Sequence, residues 1–147
     1  MYHWTKKSVD QAPAAERLPA GKRSKKSKKS EAEKLFAEQL ARVPNLTFVQ
    51  QLHFAKTIKR RWRFDFAFPE FKVAVEIDGV VMKQIGGKWF TMGRHADVTG
   101  MRGDCMKGNA AIMYGWAVLH FLQDEIKPER ALTTTLRVLA LKGWKKS

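Results

Sequence analysis

Arg61-Trp62-Arg63-Phe64-Asp65-Phe66-Ala67-Phe68, then Pro69-Glu70-Phe71-Lys72, then Val73-Ala74-Val75-Glu76-Ile77-Asp78, is the stretch that decides the fold of this chain. The first run alternates strictly. Phe64, Phe66 and Phe68 are predicted on one face of a strand, with Arg63, Asp65 and Ala67 on the other. The second run alternates again, with Val73, Val75 and Ile77 on one face and Ala74, Glu76 and Asp78 opposite. Two such runs joined by a short proline-led turn predict an antiparallel hairpin. A turn over 69–72 sets Asp65 opposite Glu76 and Ala67 opposite Ala74. Directly opposed residues on one face lie about 4.5–5.5 Å apart, so two acids would stand side by side among small residues. A slip of one residue would send Glu76 to the other face.

Opposed like charges destabilise a sheet, and a bound divalent cation removes that cost. Mg²⁺ takes hard oxygen ligands, typically one or two carboxylates completed by water and phosphate oxygens. The plainer alternative makes Asp65 and Glu76 solvent-facing strand residues, paired with Arg63. Trp62, the three phenylalanines and Val73, Val75 and Ile77 predict a strand pair buried on at least one face. An acid pair at such an edge, on a chain drawn to phosphates, is a candidate nuclease site.

The attraction to phosphates is read from charge. The chain has 147 residues, 28 Lys+Arg against 14 Asp+Glu, and a net charge of +14. That surplus predicts a polyanionic partner, most simply nucleic acid. The length fits one domain with some residues to spare, and a hydrophobic content of 44% is enough for a core. No apolar run approaches the roughly 18 residues a membrane span needs, and the start, Met1-Tyr2-His3-Trp4-Thr5-Lys6-Lys7, has no apolar region after its charges. An intracellular, non-membrane protein is the expectation. The single cysteine, Cys105, excludes an internal disulfide framework and a cysteine-based zinc cluster.

Half of the surplus lies in the first fifth of the chain. Residues 1–30 carry nine Lys/Arg and two acids, and Gly21 to Ser30 reads GKRSKKSKKS. Residues 1–29 are read as a flexible basic arm, with Lys25, Lys26, Lys28 and Lys29 following a phosphate backbone. A solvated tail or localisation signal is the alternative. Such an arm gives affinity without sequence specificity.

The folded part is expected over 30–147. Ser30-Glu31-Ala32-Glu33 has the capping-box form, and Leu35, Phe36, Leu40 and Val43 recur at helical spacing until Pro44-Asn45. Leu46 to Phe54 is strand-like. Lys59, Arg60 and Arg61 precede the hairpin and could grip phosphates. Val80 to Gly103 reads as a long glycine-rich basic loop carrying Lys83, Lys88, Arg94 and Arg102, with Trp89-Phe90 available for base stacking or ordinary packing. Gly103 to Tyr114 suits a helix, Trp116 to Phe121 a buried strand, and Pro128 to Leu141 an amphipathic helix opening on proline. His53 and His120 are read as non-catalytic, and Cys105 lacks a base nearby. The fold class is α/β, a mixed central sheet flanked by helices.

Taken in order, these residues resemble the PD-(D/E)XK nuclease superfamily. Asp65, then Glu76-Ile77-Asp78-Gly79 after a hairpin, resembles its metal-binding core. Gly93-Arg94-His95, Gly100, Asp104, Lys107, Asn109-Ala110-Ala111 and Gly115 to Phe121 are similar to the second half of the branch containing the very-short-patch repair endonuclease and small phage endonucleases. Ser30 and Glu33-x-x-Phe36 are similar to its first helix. The resemblance covers about residues 30–125 and implies a restriction-endonuclease-like fold and Mg²⁺-dependent cleavage of DNA, with Mn²⁺ as a substitute. It implies that Asp65, Glu76 and the Ile77 carbonyl hold the metal, and that Glu33 orients a water or ligand. Glu33 also suits a purely capping role. The resemblance implies a setting in the cytoplasm or nucleoid, or as a phage protein in a bacterial host.

One position departs from the pattern. The superfamily places lysine two residues after the glutamate, and here that residue is Asp78. Lys107, one turn after Asp104, is the first substitute, although it equally suits a surface pair with Asp104. His95, as a general base, is the second, and Lys83 the third. Without a substitute, the chain would bind DNA without cutting it. A non-catalytic DNA-binding protein and an RNA-processing nuclease are therefore the rival classes. A double-strand cutter or junction resolvase would require a homodimer, and a nickase would not.

Overall fold

In the computed structural model of the chain, the residues described are 30–79, 81–92 and 98–146. Helix α1 (Glu31–Ala41) begins where the capping box predicts: Ser30 Oγ accepts the Glu33 N–H at 3.2 Å. Its buried face is Phe36, Gln39 and Leu40. Four strands make the main sheet: β1 (Val49–His53), β2 (Arg63–Phe68), β3 (Val73–Asp78) and β6 (Ala117–Leu122), in the order β1-β2-β3-β6. The first three pair antiparallel, and β6 joins β3 in parallel. A parallel neighbour needs a crossover. Strands β4 (Val81–Ile85) and β5 (Lys88–Met92), which form a separate hairpin, and helix α2 (Val98–Met113) supply it. Helix α3 (Arg130–Leu141) follows β6. The chain is thus a mixed α/β protein with a four-stranded mixed sheet flanked by helices. Among the described residues, no helix is long and apolar enough to cross a membrane.

The hairpin register is the one the turn over 69–72 requires: Phe66 pairs with Val75, Ala67 with Ala74 and Phe68 with Val73. Asp65 and Glu76, expected opposite one another, fall just beyond the last of these pairs. Each face of the sheet packs on its own layer. Phe66, Phe68, Val73, Val75 and Ile77 meet Phe36 and Leu40 of α1 and Leu139 of α3. Ala67 and Ala74 meet Ala111 of α2 and Trp116. The small residues let α2 come down close to the sheet, and each buried phenylalanine contributes roughly 1.5–3 kcal/mol.

Phe64 departs from the strict alternation. It belongs to the α2 layer with Ala67 and Ala74, stacked on Phe54 at 4.0 Å between ring centroids and 5.0 Å from Trp116. The phase breaks at Asp65, where the ladder is interrupted: the Ile77 N–H donates to Asp65 Oδ2 at 2.9 Å. Beside it, Gln51 of β1 holds a left-handed φ of 55°. The change of phase puts the Phe64 ring on the α2 layer and the Asp65 carboxylate against the Ile77 N–H.

Three readings of the sequence are corrected. The stretch 80–103 is not one long loop, because Gly86 and Gly87, at φ of 59° and 77°, make the tight turn of the β4–β5 hairpin. Helix α2 already starts at Val98, through Gly100 and Gly103, whose poor helix propensity hid it. Helix α3 starts at Arg130 instead of Pro128, because Glu129 takes a left-handed φ of 59° that turns the chain into the helix. The arm of 1–29 lies outside the described residues.

Candidate active site

Strand β2 places Asp65, strand β3 places Glu76, and helix α2 crosses above them with Lys107. All three line one open cleft of about 710 Å³, whose wall also includes Glu33, Ile77, Asp78 and Asp104. Asp65 is held in place twice, by the Ile77 N–H on Oδ2 and by Gln51 Nε2, which donates to Oδ1 at 3.3 Å. Each carboxylate oxygen has a further lone pair for a ligand. Glu76 Oε1 accepts from Lys107 Nζ at 2.6 Å, and the two side chains are only 13% and 22% exposed. Burial pushes the Glu76 carboxyl up from 4.5 to about 7; the Lys107 ammonium opposes that rise and the Asp65 charge adds to it. Desolvation therefore outweighs the ion pair.

Of the three basic residues weighed for a part beside the acids, Lys107 reaches Glu76 from α2. Lys83 lies on β4, opposite Phe90 in the hairpin register. His95 and Arg94 lie outside the described residues, as do Lys25, Lys26, Lys28 and Lys29. Glu33 combines its capping contact with Ser30 and a place in the cleft wall. Arg61 lines the cleft, Arg60 stands just behind it over the Trp62 ring, and Lys59 is exposed in the turn before them. Arg102 is exposed on α2 and is not among the residues lining the cleft.

Sequence reasoning set aside several residues that the fold brings in. His120 pairs in register with Glu76 on β6, and its Nδ1 lies 3.0 Å from Asp78 Oδ2. That hydrogen bond is the main reason the imidazole pKa is raised, against the opposing effect of burial. With Glu76, Asp78 and Lys107 it borders a smaller hollow of about 80 Å³ under α2. The pairing of β6 beside β3 brings His120 there, and alternation within one strand could not have revealed it. Gln51 escaped notice because its contact depends on the β1 kink. Trp62, expected in a buried strand pair, is half-buried and lines the cleft. His53 has a structural task, its Nε2 lying 2.6 Å from the Arg60 carbonyl oxygen. Cys105 is exposed.

The donor set suits a hard cation. Asp65 and Glu76 offer carboxylate oxygens within one cleft and Ile77 offers a carbonyl, with water and phosphate left to complete an octahedron as Mg²⁺ prefers. Among the described residues, no group of three or more His, Cys, Asp or Glu is gathered for a metal, so the protein's own share would be two carboxylates. Comparison with protein-family models, with characterised proteins and with solved structures finds nothing that matches this chain.

Proposed function

We propose that this protein is a Mg²⁺-dependent endonuclease that hydrolyses phosphodiester bonds in DNA, of the PD-(D/E)XK kind with a restriction-endonuclease-like core. The observation that carries the reading is the meeting of Asp65, Glu76 and Lys107 in one cleft. In this reading Lys107 takes, from α2, the part of the lysine absent at Asp78. Asp65, Glu76 and the Ile77 carbonyl would hold the metal, which when bound supplies Lewis acidity toward the scissile phosphate and an acidified water. Gln51 and the Ile77 N–H fix the Asp65 carboxylate, so it needs little reorganisation on binding. Lys107 stands beside Glu76, where its ammonium would face the negative charge that grows on the phosphate as the water oxygen bonds to phosphorus and the sugar oxygen departs. Arg61 and Arg63, on the cleft wall, offer phosphate contacts that position the strand. Duplex with nicks, mismatches or branches is the expected substrate, of the phage or mobile-element repair and recombination type.

The test is to incubate the protein with labelled junction, flap, mismatch and plain duplex DNA in Mg²⁺ and in EDTA. Strand cleavage confined to the Mg²⁺ samples is the expected result. Intact DNA throughout, with metal-independent binding, would instead make the chain a non-catalytic DNA-binding protein. In that case Lys107 would serve only to neutralise Glu76. Cleavage of matched RNA in preference to DNA would change the substrate class.

A further inference from the structure

Among the described residues, Trp62 is a large aromatic residue that joins neither hydrophobic layer. It is half-buried in the wall of the cleft that holds Asp65 and Glu76, with exposed Arg61 and Arg63 on either side. A half-buried tryptophan is ordinary by itself; what singles this one out is its place on a polar cleft wall between two arginines and beside the acid pair. The Arg60 guanidinium lies over its ring, 5.2 Å from the centroid. The segment leading to it is fastened by the Arg60 N–H to the Ala55 carbonyl at 3.2 Å and by His53 to the Arg60 carbonyl. The ring is thus held on a fixed backbone, three residues before a proposed metal ligand.

We infer that Trp62, backed by Arg60, is a stacking platform for one unpaired nucleobase next to the phosphate held at Asp65 and Glu76. This rests on the nuclease reading for what occupies the cleft. A base stacked within a duplex keeps both faces covered by its neighbours, so the platform takes bases in single strands, gaps, flaps or mismatches. Base–aromatic stacking is tolerant of sequence, because every base has a π face. Trp62 therefore selects the structure of the DNA, while the arginines beside it grip the backbone whatever the structure.

The experiment measures binding in EDTA, where nothing is cut, by fluorescence anisotropy with a labelled oligothymidylate 12-mer and a matched duplex. Trp62→Ala is expected to weaken single-strand binding roughly 5- to 100-fold, with duplex affinity within about twofold and the salt slope unchanged. Trp62→Phe should recover most of the loss. A 12-mer of abasic sites should bind the unaltered protein as weakly as the thymidylate binds Trp62→Ala, a comparison that needs no variant to fold. Equal single-strand affinity for Trp62→Ala and the unaltered protein, an equal loss on duplex, or indifference to abasic sites would each overturn the platform. Binding with the expected pattern but no cleavage in Mg²⁺ supports the platform and refutes the nuclease reading. Binding to neither DNA refutes both.

Discussion

Replacing Glu76 by Gln removes a titration that the fold makes costly, and the size of the effect follows from the site. The carboxyl is displaced from its ordinary 4.5 to about 7, chiefly by burial. That displacement is worth about 3 kcal/mol of differential interaction. Below pH 4.5 Glu76 is protonated in both the folded and the unfolded chain. Between 4.5 and 7 the unfolded chain releases the proton while the folded one keeps it, so stability falls as pH rises and levels off above 7. The glutamine variant keeps an oxygen for Lys107 and has nothing to titrate. Urea unfolding in EDTA, followed by circular dichroism from pH 4.5 to 8, should therefore show the variant gaining on the unaltered protein by about 3 kcal/mol across that range. The raised pKa of His120 acts in the same direction, its stabilisation being lost as pH rises through the folded value; its main cause, the Asp78 hydrogen bond, is kept in the variant, and only the smaller part owed to the Glu76 charge is lost with it. A difference that stays constant within about 1 kcal/mol would refute the account of Glu76 as a desolvated acid.

Three other outcomes are expected. Phe66→Ala, which empties a site 1% exposed and removes an edge contact with Phe36, should cost about 3–5 kcal/mol in urea unfolding; a loss under 1 kcal/mol would contradict the placement of Phe66 in the α1 layer. Lys107→Met should slow cleavage by about 10²–10³-fold while changing DNA affinity less than twofold, as read in single-turnover assays at saturating protein. Removing residues 1–29, with their nine Lys/Arg, should weaken DNA binding and flatten its salt dependence without moving the cut site; gel mapping of a shifted site would show that the arm takes part in recognition.

The hairpin and its register were legible because a period of two, a short turn and a buried face together leave one pairing that keeps both acids on a common face. The kink at Asp65 was not legible. It arises when a side-chain oxygen replaces a ladder acceptor for Ile77, and no pattern of apolar residues records such an exchange. The β4–β5 hairpin was hidden because the glycine density of 80–103 reads as a loop, although Gly86-Gly87 is itself a hairpin signal. Lys107 could be singled out as the substitute lysine from its place one turn after Asp104, but its 2.6 Å contact with Glu76 depends on Ala67, Ala74 and Ala111 letting α2 settle on the sheet. His120 and Trp62 were passed over because their positions depend on tertiary neighbours, the β3–β6 pairing for one and the pinned 55–62 segment for the other.

The central claim is that Asp65 and Glu76 act together on DNA phosphates, and one measurement bears on it most directly. The single-turnover rate of strand cleavage in Mg²⁺ is to be compared between the unaltered protein, Asp65→Asn and Glu76→Gln, each confirmed folded by its thermal melt. The account predicts that either substitution abolishes cleavage, with a loss of at least about 10³-fold, while DNA binding in EDTA persists. Full cleavage activity in either folded variant would contradict it.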